Sequence, residues 1–309
     1  MDQLNSLLRH QRLMDLLKKP QTEINGLVRS NKTRLSIQDV KEKTKKFLFE
    51  NLKHAFPNKS FDIKKDIENY LDDLKNLPNR TPNGLVLFQK ETQRSYCELH
   101  KTYSNFLSKT LNLDKIDKLH LPINIRVSFS DPEKEEELLK RPRASQKGHI
   151  DVWAGEPLNS FLIFLALFGD VKSSGVEFYN CDLTNVPLHE LSDYSSFKAK
   201  KLDGPIAKMQ MGQLQVADSL LFHRTVKNSK GFRISLDCRG LYKFIFDDEN
   251  ENNKLSELRA KFYKDLDIWC DIGTSSFLET EYSFTNIDIR RKETSINQKS
   301  TYPHQFLIR

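Results

Sequence analysis

The segment from His223 to Arg239, HRTVKNSKGFRISLDCR, has the pattern of two β-strands joined by a turn. From Phe232 onward apolar and polar residues alternate, as they do in a strand whose two faces meet different surroundings. The stretch between the two halves, KNSKG, contains the asparagine, serine and glycine that favour turns. In a hairpin centred on this turn, His223 and Arg233 would face each other with Cβ atoms about 5 Å apart.

The strand after this turn carries a candidate carboxylate-binding site. Arg233 and Ser235 are two residues apart, so their side chains lie on the same face of the strand. An arginine fork binds a carboxylate through two parallel hydrogen bonds, and a hydroxyl next to it can add another. A second interpretation remains open, in which this polar face simply meets water, as it does in many antiparallel sheets.

The predicted hairpin ends a part of the chain that is rich in strands and turns. Eight of the eleven glycines lie between residues 148 and 240. Residues 160–168 form a continuous apolar run, which predicts a strand buried on both faces. Further strands are predicted at residues 123–130, 148–153, 175–179, 208–216, 220–226 and 232–236.

Two candidate metal ligands lie near the start of this part. His149 and Asp151 are separated by one residue, and on a strand this spacing places both side chains on one face. An imidazole beside a carboxylate offers two ligands to a divalent metal ion, and His223 is the candidate for a third. Trp153 continues the same face, where it either walls a pocket or packs in the core.

A second polar strand face has two interpretations. Asn124, Arg126 and Ser128 alternate with apolar residues in the predicted strand at residues 123–130. Inside a barrel this face would contact a substrate, whereas on an outer surface it would meet solvent. We therefore take Asn124, Arg126 and Trp153 as candidate substrate residues.

Charge and periodicity divide the 309-residue chain. The formal net charge is +7, but residues 1–120 hold 23 Lys and Arg against 15 Asp and Glu, and the remainder is close to neutral. Helical periodicity predicts helices at residues 36–56, 61–74 and 96–107, and one more at residues 255–269. We expect one domain: a mainly helical support (1–120), a strand-rich core (121–245), and a C-terminal helix and tail (246–309).

Several classes of protein are disfavoured by the sequence. The longest apolar run, at residues 161–168, is too short to cross a bilayer, and the first residues lack the pattern of a secretory signal. The four scattered cysteines contain no Cys-x-x-Cys pair, so we expect a cytoplasmic protein without a zinc ribbon. The basic excess lies outside the strand-rich core and has no nucleic-acid motif, so we expect no nucleic-acid partner.

Taken together, His149-Ile150-Asp151, the distant His223, and Arg233-Ile234-Ser235 resemble the pattern of the iron(II)/2-oxoglutarate-dependent dioxygenases. The resemblance covers roughly residues 120–245. Residues 155–159, GEPLN, and 223–226, HRTV, look like the bacterial branch that oxidises small molecules, which is phytanoyl-hydroxylase-like.

The resemblance implies a fold and a chemistry. The fold would be α+β: a double-stranded β-helix, or jelly-roll and cupin-like barrel, flanked by N-terminal helices and one C-terminal helix. His149, Asp151 and His223 would bind Fe(II), and Arg233 with Ser235 would hold the distal carboxylate of 2-oxoglutarate. Oxygen would then be consumed, succinate and CO₂ released, and a carbon of a small-molecule substrate hydroxylated, as in biosynthetic enzymes. Because Asp151 is retained, halogenation is disfavoured, since halogenating members replace this carboxylate with a small residue.

Three alternatives remain open at this point. A protein or peptide hydroxylase would use the same chemistry on a larger substrate. A cupin-type metal enzyme that does not use 2-oxoglutarate would favour three or four histidine ligands and would not need Arg233. A non-catalytic basic interaction protein would have no use for the ligand set. Neither the substrate nor the oligomeric state follows from the sequence.

Overall fold

The computed structural model describes residues 6–31, 34–130, 144–179, 205–243 and 263–270. The helices in these ranges are α1 (Ser6–Leu16), α2 (Arg34–Ala55), α3 (Leu71–Lys75), α4 (Gln93–Thr110) and α5 (Leu266–Cys270). The strands are β1 (Pro20–Ile24), β2 (Leu27–Ser30), β3 (Leu85–Val86), β4 (Ile116–His120), β5 (Asn124–Ser130), β6 (Ser160–Gly169), β7 (Val176–Tyr179), β8 (Pro205–Lys208), β9 (Leu214–Asp218), β10 (Phe222–Thr225), β11 (Gly231–Tyr242) and β12 (Tyr263–Asp265). Short 3₁₀ helices lie at Ile67–Tyr70, Lys90–Thr92, Leu113–Lys115 and Asp151–Ala154. The fold is thus mixed, with helices and antiparallel strands.

The strands form a nine-stranded sheet, here called the main sheet, and a three-stranded one, the minor sheet. The main sheet has the order β1-β2-β9-β6-β11-β4-β12, and β5 pairs with β11 and with β3. The minor sheet has the order β10-β7-β8. All pairs between named strands are antiparallel.

Strand β6 shows why the apolar run is continuous. Phe161, Ile163, Leu165 and Leu167 belong to the larger apolar cluster, which includes residues of α2 and α4. Leu162, Phe164 and Ala166 belong to a second cluster, which they share with residues of the minor sheet. Both faces of β6 are buried, as the sequence predicted, because successive side chains point to opposite sides.

Alternate side chains of β11 point to opposite faces of the main sheet, and both faces are buried. Ile234, Leu236 and Cys238 pack in the larger apolar cluster. The intervening side chains point the other way and are also buried: Arg233, Ser235, Asp237 and Arg239 are between 1% and 6% exposed. The polar face of this strand therefore does not meet bulk water, and the interpretation as a solvated face is wrong.

The predicted hairpin between His223 and Arg233 does not form. Strand β10 pairs with β7 in the minor sheet, whereas β11 pairs with β5 and β6 in the main sheet. The segment between them therefore connects two sheets, and His223 and Arg233 do not face each other within one ladder. A turn sequence favours reversal of the chain, but it does not specify which strand becomes the neighbour.

The helix predictions have mixed outcomes. The helices predicted at residues 36–56 and 96–107 are confirmed by α2 and α4. The helix predicted at residues 61–74 is shorter, because only Ile67–Tyr70 and Leu71–Lys75 are helical. Of the helix predicted at 255–269, Tyr263–Asp265 is instead a strand paired with β4, and α5 follows it.

The support expected to be mainly helical also contributes strands to the main sheet. Strand β2 pairs with β9, β3 with β5, and β4 with β11. The strand predicted at residues 208–216 is two strands, because β8 joins the minor sheet and β9 the main sheet. These short segments carry too little periodicity to be separated from their surroundings by pattern alone.

Two long loops predicted at residues 131–143 and 181–205 lie outside the described residues, apart from Pro205, which begins β8. Of the expected C-terminal helix and tail (246–309), residues 246–262, which include the first half of the predicted helix, and all residues after 270 lie outside the described residues. None of the helices that the structure describes has the length and apolar character needed to span a membrane.

Candidate metal centre

Two backbone segments bring the candidate histidines together. His149 and His223 form an antiparallel bridge in which each backbone N–H donates to the other's carbonyl, at 3.0 and 2.9 Å. Gly148 allows this close approach, because a Cβ at that position would lie 2.2 Å from the ring of Phe222. The imidazole centroids are 4.5 Å apart. The bridge thus places residues that are 74 positions apart in the sequence side by side.

Asp151 lies beside the two histidines, but not on the strand face that the sequence predicted. It begins the 3₁₀ helix Asp151–Ala154, so it does not share a strand face with His149. Its backbone N–H donates to the carbonyl of Ser219 at 3.0 Å, which ties this turn to the segment before β10. Its Oδ1 lies 3.9 Å from the Nε2 of His149 and 3.9 Å from the Nε2 of His223.

Hydrogen bonds orient both imidazole rings. The Nδ1 of His149 lies 2.8 Å from the carbonyl oxygen of Lys147, and the Nδ1 of His223 lies 2.9 Å from that of Leu221. A carbonyl only accepts, so each Nδ1 carries the proton and each Nε2 presents a lone pair. Burial, and secondarily the neighbouring His223, lowers the pKa of His149 to about 3, which keeps its ring neutral. Neutral rings with a free Nε2 are the form that binds a metal.

The three ligand atoms fit one divalent ion. They lie within 4.8 Å of one another, and all three residues are buried. Two ligands at about 2.1 Å from a common ion are at most about 4.2 Å apart, and for the two carboxylate–imidazole pairs the separation of 3.9 Å is shorter than that. The buried Oδ1 of Asp151 has no hydrogen-bond partner among the described residues, as expected of a metal ligand. Two histidines and one carboxylate are the donor set typical of non-haem Fe(II).

Arg233 is a buried cation that makes no salt bridge in the part of the chain that the structure describes, although the charge of Asp237 acts on it at longer range. It is 1% exposed. Its Nη1 lies 3.2 Å from the sulfur of Met209, its Nη2 lies 3.5 Å from the hydroxyl of Ser128, and its Nε has no partner. Burial, and secondarily the charge of Arg126, lowers its pKa to about 10, so the guanidinium remains charged at neutral pH.

Other arginines in the interior are paired differently. Arg9 bonds to Asp218, Arg126 to Asp237, and Arg239 to Asp151. A buried charge costs several kcal/mol unless an opposite charge and hydrogen bonds compensate it. Arg233 is therefore the expected position for an anionic ligand that supplies the missing partner.

One cleft connects Arg233 to the metal ligands. Its lining includes His149, Asp151, His223, Arg233 and Ser235. Leu162 and Phe164 of β6, with Val176 of β7, form an apolar part of the wall. The candidate metal centre and the candidate carboxylate site thus belong to the same interior space between the two sheets.

The candidate substrate residues separate into two groups. Asn124 and Arg126 line the cleft, where Asn124 donates to Asp237 at 2.7 Å and the Nε of Arg126 donates to Asp237 at 2.9 Å. Trp153 is fully buried against the ring of Phe222 and is not among the residues that line the cleft. Its position matches the core-packing interpretation, and its role as a substrate residue stays a prediction.

The sequence patterns did not single out Asp237 and Arg239 of β11, or Glu156, as site residues. Asp237 and Arg239 continue the face of Arg233 and Ser235 at the same two-residue spacing, so the pattern contained them. Burial opposes ionisation of Asp237, but the charge and hydrogen bonds of Arg126 outweigh it and lower its pKa. Glu156 contacts Arg239 at 3.3 Å, and no local pattern in the sequence indicates that contact.

Comparison with known proteins gives little beyond this geometry. No protein-family model and no curated protein matches the chain. Among solved structures, the chain is similar to the non-heme alpha ketoglutarate dependent epimerase SnoN from nogalamycin biosynthesis, with 12% identity and a TM-score of 0.34. The match covers 86% of this chain and 98% of that one. A TM-score this low does not establish a shared fold, so the case for a function depends on the side chains of the cleft.

Proposed function

We propose that this protein is an Fe(II)- and 2-oxoglutarate-dependent oxygenase that hydroxylates a carbon of a small molecule. The observation that carries the proposal is one cleft in which a two-histidine, one-carboxylate cluster accompanies a buried arginine that makes no salt bridge among the described residues. The cluster alone would suit several metal enzymes. The arginine adds the requirement for an anion, which favours a dicarboxylate co-substrate over a cupin-type enzyme without one.

The residues of the cleft have distinct roles in this proposal. His149, Asp151 and His223 hold the ion through three positions and leave the others open. Arg233, with the nearby hydroxyl of Ser235, binds and orients the distal carboxylate of 2-oxoglutarate. Fe(II) with this co-substrate and O₂ would supply an oxidant for an unactivated carbon, with release of succinate and CO₂. Burial of the ligands excludes bulk water from the reacting atoms.

The finer features of the proposal concern the fold and the substrate. We infer a double-stranded β-helix at residues 121–245 within one domain, completed by the strands of the N-terminal part. We place the chain in the phytanoyl-hydroxylase-like branch on the residues quoted above. Asn124 and Arg126 are the proposed substrate residues, because both line the cleft beside the metal ligands.

Succinate formation tests this function. Purified protein with Fe(II), 2-oxoglutarate and O₂ should release succinate, and a panel of amino acids, sugars and peptides should show which class accelerates it. His149→Ala and Asp151→Ala should abolish release, whereas His54→Ala, which alters a partly exposed histidine outside the cleft, should leave it unchanged. Succinate release by the two ligand variants at the wild-type rate would refute the proposed centre.

A further inference from the structure

A second carboxylate, that of Glu156, lies close to Asp151 but is not among the proposed metal ligands. Glu156 is 2% exposed and belongs to the same turn as Asp151, whose carbonyl accepts from the Glu156 backbone N–H at 3.3 Å. Buried glutamates are rare unless they are paired or bind a metal. The partners of the Glu156 carboxylate therefore decide whether it stays apart from the ion site or approaches it.

Two side chains hold Glu156 away from the ion. The Nε of Arg239 lies 3.3 Å from its Oε1, and the hydroxyl of Tyr263 donates to its Oε2 at 2.6 Å. Arg239 is 6% exposed and Tyr263 is 4% exposed, so all three groups are shielded from water. Oε1 of Glu156 is thus ion-paired with the guanidinium of Arg239, and Oε2 accepts a hydrogen bond from Tyr263.

Arg239 also contacts the proposed ligand itself. Its Nε lies 3.1 Å from Oδ2 of Asp151, while Oδ1, which has no partner among the described residues, is the oxygen nearest to both imidazole Nε2 atoms. The guanidinium of Arg239 therefore lies between the carboxylates of Asp151 and Glu156. It pairs with the Asp151 oxygen that does not face the histidines. Without it, two buried negative charges would meet beside a site for a cation.

We propose that Arg239, supported by Tyr263, is a positioning residue that keeps Glu156 out of the metal's coordination sphere. The inference depends on the proposed function, because it explains how the centre keeps open positions for its co-substrate. Carboxylate count raises the affinity of a site for a hard divalent cation. Loss of Arg239 should therefore tighten metal binding while it weakens binding of the co-substrate, an opposite pair of effects that misfolding does not produce. Tyr263→Phe, which changes no charge, separates release of Glu156 from the simple loss of a cation.

Titration with Mn(II), followed by electron paramagnetic resonance of the free ion, tests this without any turnover. Arg239→Gln should bind Mn(II) about tenfold more tightly than the wild type, and the double variant Arg239→Gln/Glu156→Gln should return to the wild-type affinity. In the presence of Mn(II), the single variant should bind 2-oxoglutarate at least about tenfold more weakly, and the double variant should recover most of that loss.

The outcomes separate the inference from the proposed function. Equal or weaker Mn(II) binding by Arg239→Gln would overturn the inference. Tyr263→Phe removes the hydrogen-bond donor to Oε2 of Glu156 without changing any charge, so it should also tighten Mn(II) binding. Unchanged affinity in that variant would overturn the inference, whether or not Arg239→Gln folds. Mn(II) binding by the wild type without any 2-oxoglutarate binding would instead refute the proposed function and leave the Mn(II) comparison decisive for Arg239.

Discussion

At the proposed metal centre, hydrogen bonds on one side of each ligand select the atom that is left for the ion. Backbone carbonyls occupy the Nδ1 side of His149 and His223, and Arg239 occupies Oδ2 of Asp151. The remaining atoms, two Nε2 and one Oδ1, converge. Such outer contacts fix the orientation of metal ligands before an ion arrives.

Substitution of Arg233 should affect the co-substrate specifically. Arg233→Ala removes the buried charge that we assign to the distal carboxylate, and loss of a charge-assisted hydrogen bond costs about 1.5–3 kcal/mol. The dissociation constant for 2-oxoglutarate, measured by calorimetry on the metal-loaded protein, should rise about 10- to 100-fold. Mn(II) affinity should stay unchanged, because the side chains that Arg233 contacts, Met209 and Ser128, are not metal ligands.

Arg224 provides the matched control for this prediction. It follows a proposed ligand directly, but its side chain is 47% exposed and pairs with Glu177 on the minor sheet. Arg224→Ala should leave the affinity for 2-oxoglutarate within experimental error. Equal losses in the two variants would mean that general charge, and not the buried guanidinium, attracts the co-substrate.

At the scale of elements, helix α4 carries a buried histidine that couples stability to pH. His100 is fully buried, its Nε2 lies 2.7 Å from the carbonyl oxygen of Trp269 in α5, and its Nδ1 has no partner among the described residues. Burial lowers its pKa from 6.5 to about 4, although the bond to Trp269 opposes the shift. Protonation would place an unpaired charge in the core.

This histidine should destabilise the protein as the pH falls. Its pKa is lower in the folded state, so the unfolded chain takes up the proton first, and stability is lost from about pH 6.5 downward until about pH 4. Between pH 7.5 and 5 the loss from this group should be about 2 kcal/mol. Urea unfolding of the wild type and of His100→Gln at both pH values measures it, and equal pH dependence in the two proteins would contradict the assignment.

Strand β11 shows which features of the fold the sequence predicts and which it does not. The alternation from Phe232 correctly predicts a strand with Arg233 and Ser235 on one face, because period-two patterning is a local property. It does not predict that β10 leaves for the minor sheet, because partner choice depends on contacts with β7, which lies more than 40 positions away. The motif residues nevertheless meet, since both sheets enclose the same cleft.

The candidate metal centre likewise combines features that the sequence predicts with features that it does not. The types and order of His149, Asp151 and His223 made them candidate ligands from the sequence. The predicted strand at Asp151 is instead a 3₁₀ helix. Arg239 and Glu156 escaped detection because their importance lies in contacts across 83 positions of sequence. Tyr263 lies in a segment predicted as helix, where pairing with β4 outweighs the helical pattern.

At the scale of the whole molecule, the proposed metal ligands lie where segments of the main sheet and the minor sheet meet. His223 belongs to the minor sheet, whereas Arg239, which contacts Asp151, belongs to the main sheet. An ion bound at this point stabilises the folded state, because the unfolded chain offers no such site. The metal centre should therefore contribute to global stability as well as to chemistry.

Thermal unfolding with and without Mn(II) measures this contribution. At a concentration about 100 times the dissociation constant, a ligand that binds only the folded state adds about 2.7 kcal/mol. The melting temperature of the wild type should rise, and excess EDTA should reverse the rise. Asp151→Ala should show no response, whereas the same rise in that variant would place the bound ion elsewhere.

The central claim is that one cleft binds Fe(II) and 2-oxoglutarate together. Anaerobic titration of 2-oxoglutarate into the Fe(II)-loaded protein, monitored by calorimetry and visible absorption, tests it most directly. We expect saturable binding with a metal-to-ligand charge-transfer band, strong dependence on Fe(II), and loss of the band in Asp151→Ala. Absence of binding, or equal affinity with and without the metal, would contradict it.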